Sequence, residues 1–112
     1  MSGNENRTVL IYTTLEHLDD AKRIGRALVD SKLAACVNIF PATVAIYEWQ
    51  GEVREEGEVV MLIKTRKACL SEALARTKQL HPYDTPALLA IEPSEVDGDF
   101  AAWIAGQTGV RS

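Results

Sequence analysis

The stretch from Ala34 to Thr65 most constrains what this chain can fold into. It holds two β-rich runs, Ala34 to Trp49 and Glu52 to Thr65, that meet at Gln50-Gly51 and read as one long hairpin. At about 3.3 Å per residue, an arm of about fifteen residues reaches about 50 Å. A compact domain of about 100 residues is only about 35 Å across. A ribbon that outruns its own domain leaves unpaired backbone edges and half-buried apolar side chains in water, so another surface must cover them. The expected cover is a second copy of the same chain.

At 112 residues the chain is long enough for one core and too short for two, so a single domain is expected. Residues 8–108 form it, between a flexible tail at 1–7 and a short one at 109–112. A hydrophobic share of 46% and a charged share of 25% are those of an ordinary soluble globular protein. No apolar run is long enough to span a membrane, and the polar opening Met1 to Arg7 lacks the apolar stretch of a secretory signal. A cytoplasmic protein with no membrane partner is expected. Cys36 and Cys69 suit reduced thiols better than a disulfide. The net charge is −4 and the twelve basic residues are dispersed apart from Lys64-Thr-Arg-Lys67, which argues against nucleic acid.

Along the chain, Thr8 to Thr14 is a β-branched and aromatic run that reads as a strand buried on both faces. From about Glu16 the period changes: Leu18, Ala21, Ile24, Gly25 and Leu28 form the apolar stripe of an amphipathic helix reaching about Lys32. The next strand is interrupted at Pro41, which cannot donate to a ladder, so a bulge is expected between Cys36–Phe40 and Thr43–Trp49. Gly57 marks a candidate second bulge on the returning strand. Thr65 is placed to cap a helix from Arg66 to about Leu80, with Leu70, Ala73, Leu74, Thr77 and Leu80 inward. That helix stops at His81-Pro82. Two prolines then bracket Tyr83-Asp-Thr85 and make the turn rigid. Ala87 to Ile91 is apolar throughout and is expected to be an internal strand. Asp97-Gly-Asp99 starts a short helix with Phe100, Trp103 and Ile104 on one face. The order is βαββαβ plus a terminal helix: an α+β, ferredoxin-like fold with a long hairpin between its second and third strands.

Read in order, Leu33-Ala-Ala-Cys-Val-Asn38, Ile46-Tyr-Glu-Trp49, Leu62-Ile-Lys-Thr65, His81-Pro-Tyr-Asp-Thr-Pro86 and Trp103 resemble the CutA divalent-cation tolerance family, from about Val9 to Ile104. The resemblance implies a homotrimer clasped by the long hairpin, similar in architecture to the trimeric PII signalling proteins, with clefts between subunits. It also implies a response to metal ions, with copper binding in some members and no enzymatic reaction. In some metal-binding relatives a Cys stands at the position of Thr13 and a His at that of Leu80, and both departures weaken a family-type copper site.

Soft and borderline ions want thiolate and imidazole donors, which makes Cys36 and His81 the candidate metal ligands. No Cys-x-x-Cys or His-x-x-x-His spacing is present, so a preformed zinc site is not expected. Cys36 also reads as a small hydrophobe in a strand. His81 reads as a helix stop, where a cationic imidazole is favoured beside the last carbonyls. Lys64 and Tyr83 are candidates for a cleft binding a small anion, the alternative PII-like reading. Lys64 can also simply snorkel to solvent. Tyr47, Trp49 and Trp103 are candidate trimer-interface anchors. The acidic run Glu52, Glu55, Glu56 and Glu58 reads as a charged guard on a strand edge, and binds hard cations at most weakly. No Ser-His-Asp order, glycine-rich phosphate loop or segregated carboxylate pair points to catalysis. A non-enzymatic protein is expected, and a trimer with no ligand is the third reading.

Overall fold

A computed structural model describes residues 5–109. The periodicities resolve into β1 (Thr8–Leu15), α1 (Leu18–Asp30), β2 (Cys36–Trp49), β3 (Glu52–Arg66), α2 (Lys67–Leu80), β4 (Leu88–Ile91) and α3 (Gly98–Gln107). The strands form one antiparallel sheet in the order β2-β3-β1-β4. The architecture is the expected α+β one.

Side chains directly opposite one another in an antiparallel pair share a face, so the register sorts the sheet into two sides. Val37, Ile63 and Ile11 form one row, with Ile39 and Met61 beside it. Ala21, Ile24 and Leu28 of α1 and Ala73 of α2 complete this core against Ile11, Leu15, Val59, Met61 and Ile63. The apolar stripe of α1 is what seats it there, and Gly25 lets it come close: a Cβ at that position would stand 3.4 Å from Val37 Cγ1. The opposite side carries the rows Cys36, Lys64, Leu10, Ile91 and Asn38, Leu62, Tyr12, Leu89. Of the helices, α3 reaches Lys64 on this side through Phe100, while Leu89 and Ile91 stay exposed.

The hairpin closes at Gln50 and Gly51, with φ of 53° and 83°. Two successive positive φ values give the turn whose twist matches that of the flanking strands. The protomer measures 49 × 27 × 21 Å, with a radius of gyration of 15.0 Å against about 13 Å for a compact domain of this size. The ribbon does overshoot.

Several local expectations change. The register slips once in the hairpin, between Phe40 and Thr43 as Pro41 requires, whereas Gly57 pairs regularly with Val44 and makes no bulge. Gly57 instead leaves the strand surface open above it, since an added Cβ would meet nothing within 4 Å. Thr65 does not cap α2. It lies inside β3 with its hydroxyl buried and unpartnered, and Arg66 occupies the N-cap without capping the helix through its side chain. The α2 start is held from outside, by Lys67 N donating to Arg7 O at 2.8 Å. β4 is an edge strand, not an internal one. Its apolar character reflects the uncovered side of the sheet rather than burial. α3 starts where expected, with Asp97 as its cap accepting from Phe100 N at 3.0 Å.

Of the expected tails, residues 1–4 and 110–112 lie outside the described residues. Asn6 and Arg7, assigned to the flexible N-terminal tail, are engaged: Arg66 donates to Asn6 Oδ1 at 3.2 Å, and Arg7 pairs with Glu92 at 2.6 Å.

Candidate functional site

A recess with chemical character lies at the root of the hairpin. Ala45 and Tyr47 of β2, Glu56, Gly57 and Glu58 of β3, Glu16 after β1 and Tyr83 of the 81–86 turn enclose about 540 Å³. Regular pairing past the Pro41 slip brings the edges of β2 and β3 to the turn. The side-chain-free Gly57 forms part of its floor.

The polar groups here are acidic. The Tyr47 hydroxyl donates to Glu56 Oε1 at 2.7 Å. That bond, followed by desolvation and the Glu56 charge, holds the Tyr47 phenol above its ordinary pKa. Burial first, then Glu16, Glu58, Asp20 and Glu56, raises Tyr83 as well. Two phenols facing carboxylates form a surface that attracts cations and repels anions.

His81 is the hinge between this recess and the core. The chain leaves α2 at Leu80, and the residue before Pro82 is driven to extended geometry, which His81 adopts with φ −70° and ψ 138°. Its ring turns inward, and the residue is 7% exposed. Nε2 lies 3.0 Å from the Thr14 carbonyl, and Nδ1 accepts from Tyr83 N at 3.1 Å. A carbonyl only accepts, so Nε2 carries the proton and Nδ1 supplies a lone pair. The ring is the neutral Nε2–H tautomer. Burial lowers its pKa, outweighing the Thr14 carbonyl and Asp20, which act the other way. The cationic helix-stop imidazole is thus corrected: exclusion from water costs the charge more than the nearby carbonyl and carboxylate return. Both nitrogens are engaged in the protomer, so a metal at Nδ1 would have to displace the Tyr83 amide.

The other candidates gather on the uncovered side of the sheet. Cys36 stands opposite Lys64 and is part-exposed with a free thiol. Lys64 Nζ lies 5.6 Å from the centroid of Phe100, a cation–π contact, and Phe100 stacks on Trp103 at 6.1 Å and 16°. Trp49 is exposed at the hairpin end.

Within one protomer, Cys36 and His81 do not meet. Cys36 lies opposite Lys64, while His81 bonds Thr14, whose β3 partner is Val60. The two rows are four residues apart on β3, about 13 Å. Lys64 and Tyr83 are separated in the same way. Lys64 and Tyr83, the candidates for an intersubunit anion cleft, are thus not brought together within one protomer, where Tyr83 faces glutamates. Among the described residues, no group of three or more His, Cys, Asp or Glu could hold a metal ion. Thr13, where the resemblance places a Cys in some relatives, spends its hydroxyl on the Ala87 carbonyl at 2.7 Å.

Sequence reasoning missed that Glu16, Tyr47 and Glu56 share a recess with Tyr83. The available signal was the alternation that puts Ala45 and Tyr47 on one face of β2. No helix among the described residues is long and apolar enough to cross a membrane.

The family described as CutA1 divalent ion tolerance protein matches residues 9–107. The divalent-cation tolerance protein CutA of Thermus thermophilus is 38% identical over 100 residues, covering 89% of this chain and 97% of the relative. That of Pyrococcus horikoshii is 34% identical with the same coverage. The crystal structure of divalent ion tolerance protein CutA1 from Ehrlichia chaffeensis superposes with a TM-score of 0.88 at 34% identity, over 93% of this chain and 97% of that one. This chain belongs to the CutA1 divalent ion tolerance protein family.

Proposed function

We propose that the chain acts as a cytoplasmic, non-enzymatic homotrimer that takes part in the response to divalent metal ions and binds copper at the junctions between its protomers. The observation that carries the assembly is the hairpin: Ile46 is 66% and Val53 74% exposed, on a ribbon longer than its own domain. Phe40, Leu89, Ile91, Phe100 and Trp103 add exposed apolar area, and both outer strands, β2 and β4, have a free edge. Such surface and such edges call for a partner.

The metal reading rests on the family's relation to divalent cations, and on Cys36 as the soft donor on the uncovered face. His81 can act as a donor beside it only by giving up the Tyr83 amide at Nδ1. Since the described residues of the protomer hold no preformed group of ligands, a junction between copies is the place where a second donor can reach Cys36. The recess of Glu16, Glu56, Glu58, Tyr47 and Tyr83 supplies a negative field that concentrates cations nearby. The same field disfavours the small-anion, PII-like alternative.

Light scattering on the native chain is expected to give three times the 12.3 kDa chain mass, and a mass of one chain at low micromolar concentration sinks the assembly. Copper titration of the reduced trimer, followed by thiolate-to-metal absorption, is expected to saturate. In Cys36→Ser the absorption disappears and affinity drops at least about tenfold, as loss of a ligand predicts. Unchanged copper uptake in Cys36→Ser removes this thiol from the site. A trimer that takes up no copper leaves the purely structural reading.

A further inference from the structure

On the helix side of the sheet, α1 leaves the β2 edge partly uncovered. Lys22, Gly25, Arg26 and Val29 of α1 and Val37 and Ile39 of β2 line an open groove of about 470 Å³, with Asp30 at its end. The floor is apolar because Val37 and Ile39 lie in the core-side rows but on the outermost strand. Val29 stays exposed on the helical wall. Lys22 and Arg26 form the rim, both exposed and neither in an ion pair among the described residues. Four residues apart on a helix, they share one face and stand about 6 Å apart along its axis.

A second surface of the same chain has the complementary character. Val44, Ile46 and Val53 are exposed aliphatic side chains on one face of the hairpin. Glu48, opposite Val53, and Glu55, opposite Ile46, share that face. These two carboxylates are diagonal neighbours on the ladder, about 7–8 Å apart, and neither is in an ion pair among the described residues. Apolar area thus matches apolar area, and two carboxylates match two cations at nearly the same spacing. The ribbon cannot reach its own groove, since Val37, Ile39, Val44 and Ile46 all stand on β2, which is paired with β3 on both sides of the slip. Only another copy can bring the two surfaces together. Two ribbons laid face to face would instead set four carboxylates against one another, which disfavours that pairing.

We propose that the groove between α1 and the β2 edge is a socket for the hairpin of a neighbouring copy, seating its Val44, Ile46 and Val53 and pairing its Glu48 and Glu55 with Lys22 and Arg26. This rests on the homotrimer reading above and adds the place and the charge pattern of the contact. Ribbon and socket are different patches, so the contact is head-to-tail: each copy gives one hairpin and receives one. Contacts of this kind close into a ring when the rotation permits, and a ring of three uses every ribbon and every socket once. The exposed Val29 and the aliphatic face of the ribbon are then covered by one another.

Charge reversal in the full chain tests this. Lys22→Glu with Arg26→Glu should raise the concentration at which trimers form at least about tenfold, because like charges then face each other across the contact. Circular dichroism should be native, since both side chains are exposed on α1. Adding Glu48→Lys and Glu55→Lys to the same chain should bring the midpoint back, as every reversed socket then meets a reversed ribbon. A native chain that scatters as a single chain overturns the trimer reading and the socket together. A native trimer whose midpoint is unmoved by Lys22→Glu with Arg26→Glu overturns the socket alone, and so does a fourfold variant no tighter than the double one. Should the reversed chains not fold, carbodiimide coupling of native trimers assembled from nitrogen-14 and nitrogen-15 chains decides. Lys22 should be joined to Glu48 or Glu55 in peptides of mixed isotope, and coupling between copies that never includes Lys22 overturns the proposal.

Discussion

Ile63→Ala is expected to lower the unfolding free energy by about 2–5 kcal/mol, and Ile63→Val by about 0.5–1.5 kcal/mol. Ile63 is fully buried in β3, one of the two inner strands, directly opposite Ile11 on one side and Val37 on the other. Above it lies the layer that includes Ile24, Leu28 and Ala73. Removing its outer carbons opens a hole that none of these neighbours can fill without moving, because β3 is held on both edges by ladders and α1 is seated closely at Gly25. A domain of this size has about 5–15 kcal/mol in total, so the alanine variant is expected to approach the threshold of folding. Denaturant unfolding at fixed protein concentration measures it, with an unchanged dependence on denaturant for both variants. A loss under about 1 kcal/mol in the alanine variant would show that the two helices do not lock the sheet as described.

What was legible in the sequence follows from how local each signal is. The stripe Ala21, Ile24, Gly25, Leu28 recurs at helical spacing and can be buried only in one way, so α1 was readable to within a turn. Pro41 was readable because a missing N–H must interrupt a ladder wherever it stands. Gly57 was misread because glycine has two uses in a strand, a bulge and an open surface, and local sequence does not separate them. β4 was misread for a related reason. Four apolar residues mark a strand, but an edge strand with an uncovered apolar side has the same composition as an internal one. The recess was the least legible part. Glu16, Tyr47, Glu56 and Tyr83 come from four segments, and they meet only because the register of β2 on β3 resumes after the slip at Phe40. His81 shows the limit at a single residue. Its position at the end of a helix suggested a cation, whereas tertiary burial lowers its pKa against the opposing pull of the Thr14 carbonyl and Asp20.

Val44→Lys combined with Ile46→Lys is expected to reduce the proposed trimer to single chains while leaving each protomer folded. Val44 and Ile46 are both 66% exposed in the single chain. They alternate onto one face of β2, and Val53 lies on the same face because it stands opposite Glu48. That apolar face is separate from the one bearing Tyr47 and the recess. Covering an aliphatic side chain of this kind contributes about 1.5–3 kcal/mol, and placing an unpaired ammonium in a desolvated contact costs several kcal/mol more. The pair of changes occurs once per protomer, so the cost repeats at every contact of a symmetric assembly. Within the protomer the cost is small. The new charge at position 46 lies opposite Glu55 and the one at 44 opposite Gly57, and neither enters the core around Ile63. Light scattering reads the mass, and circular dichroism reads the fold. A single-chain mass with native circular dichroism is the expected pair. Retention of the threefold mass would mean that the ribbon's aliphatic face is not what joins the copies, and the contact would then have to lie on the β2 and β4 edges or on the uncovered face around Leu89 and Ile91.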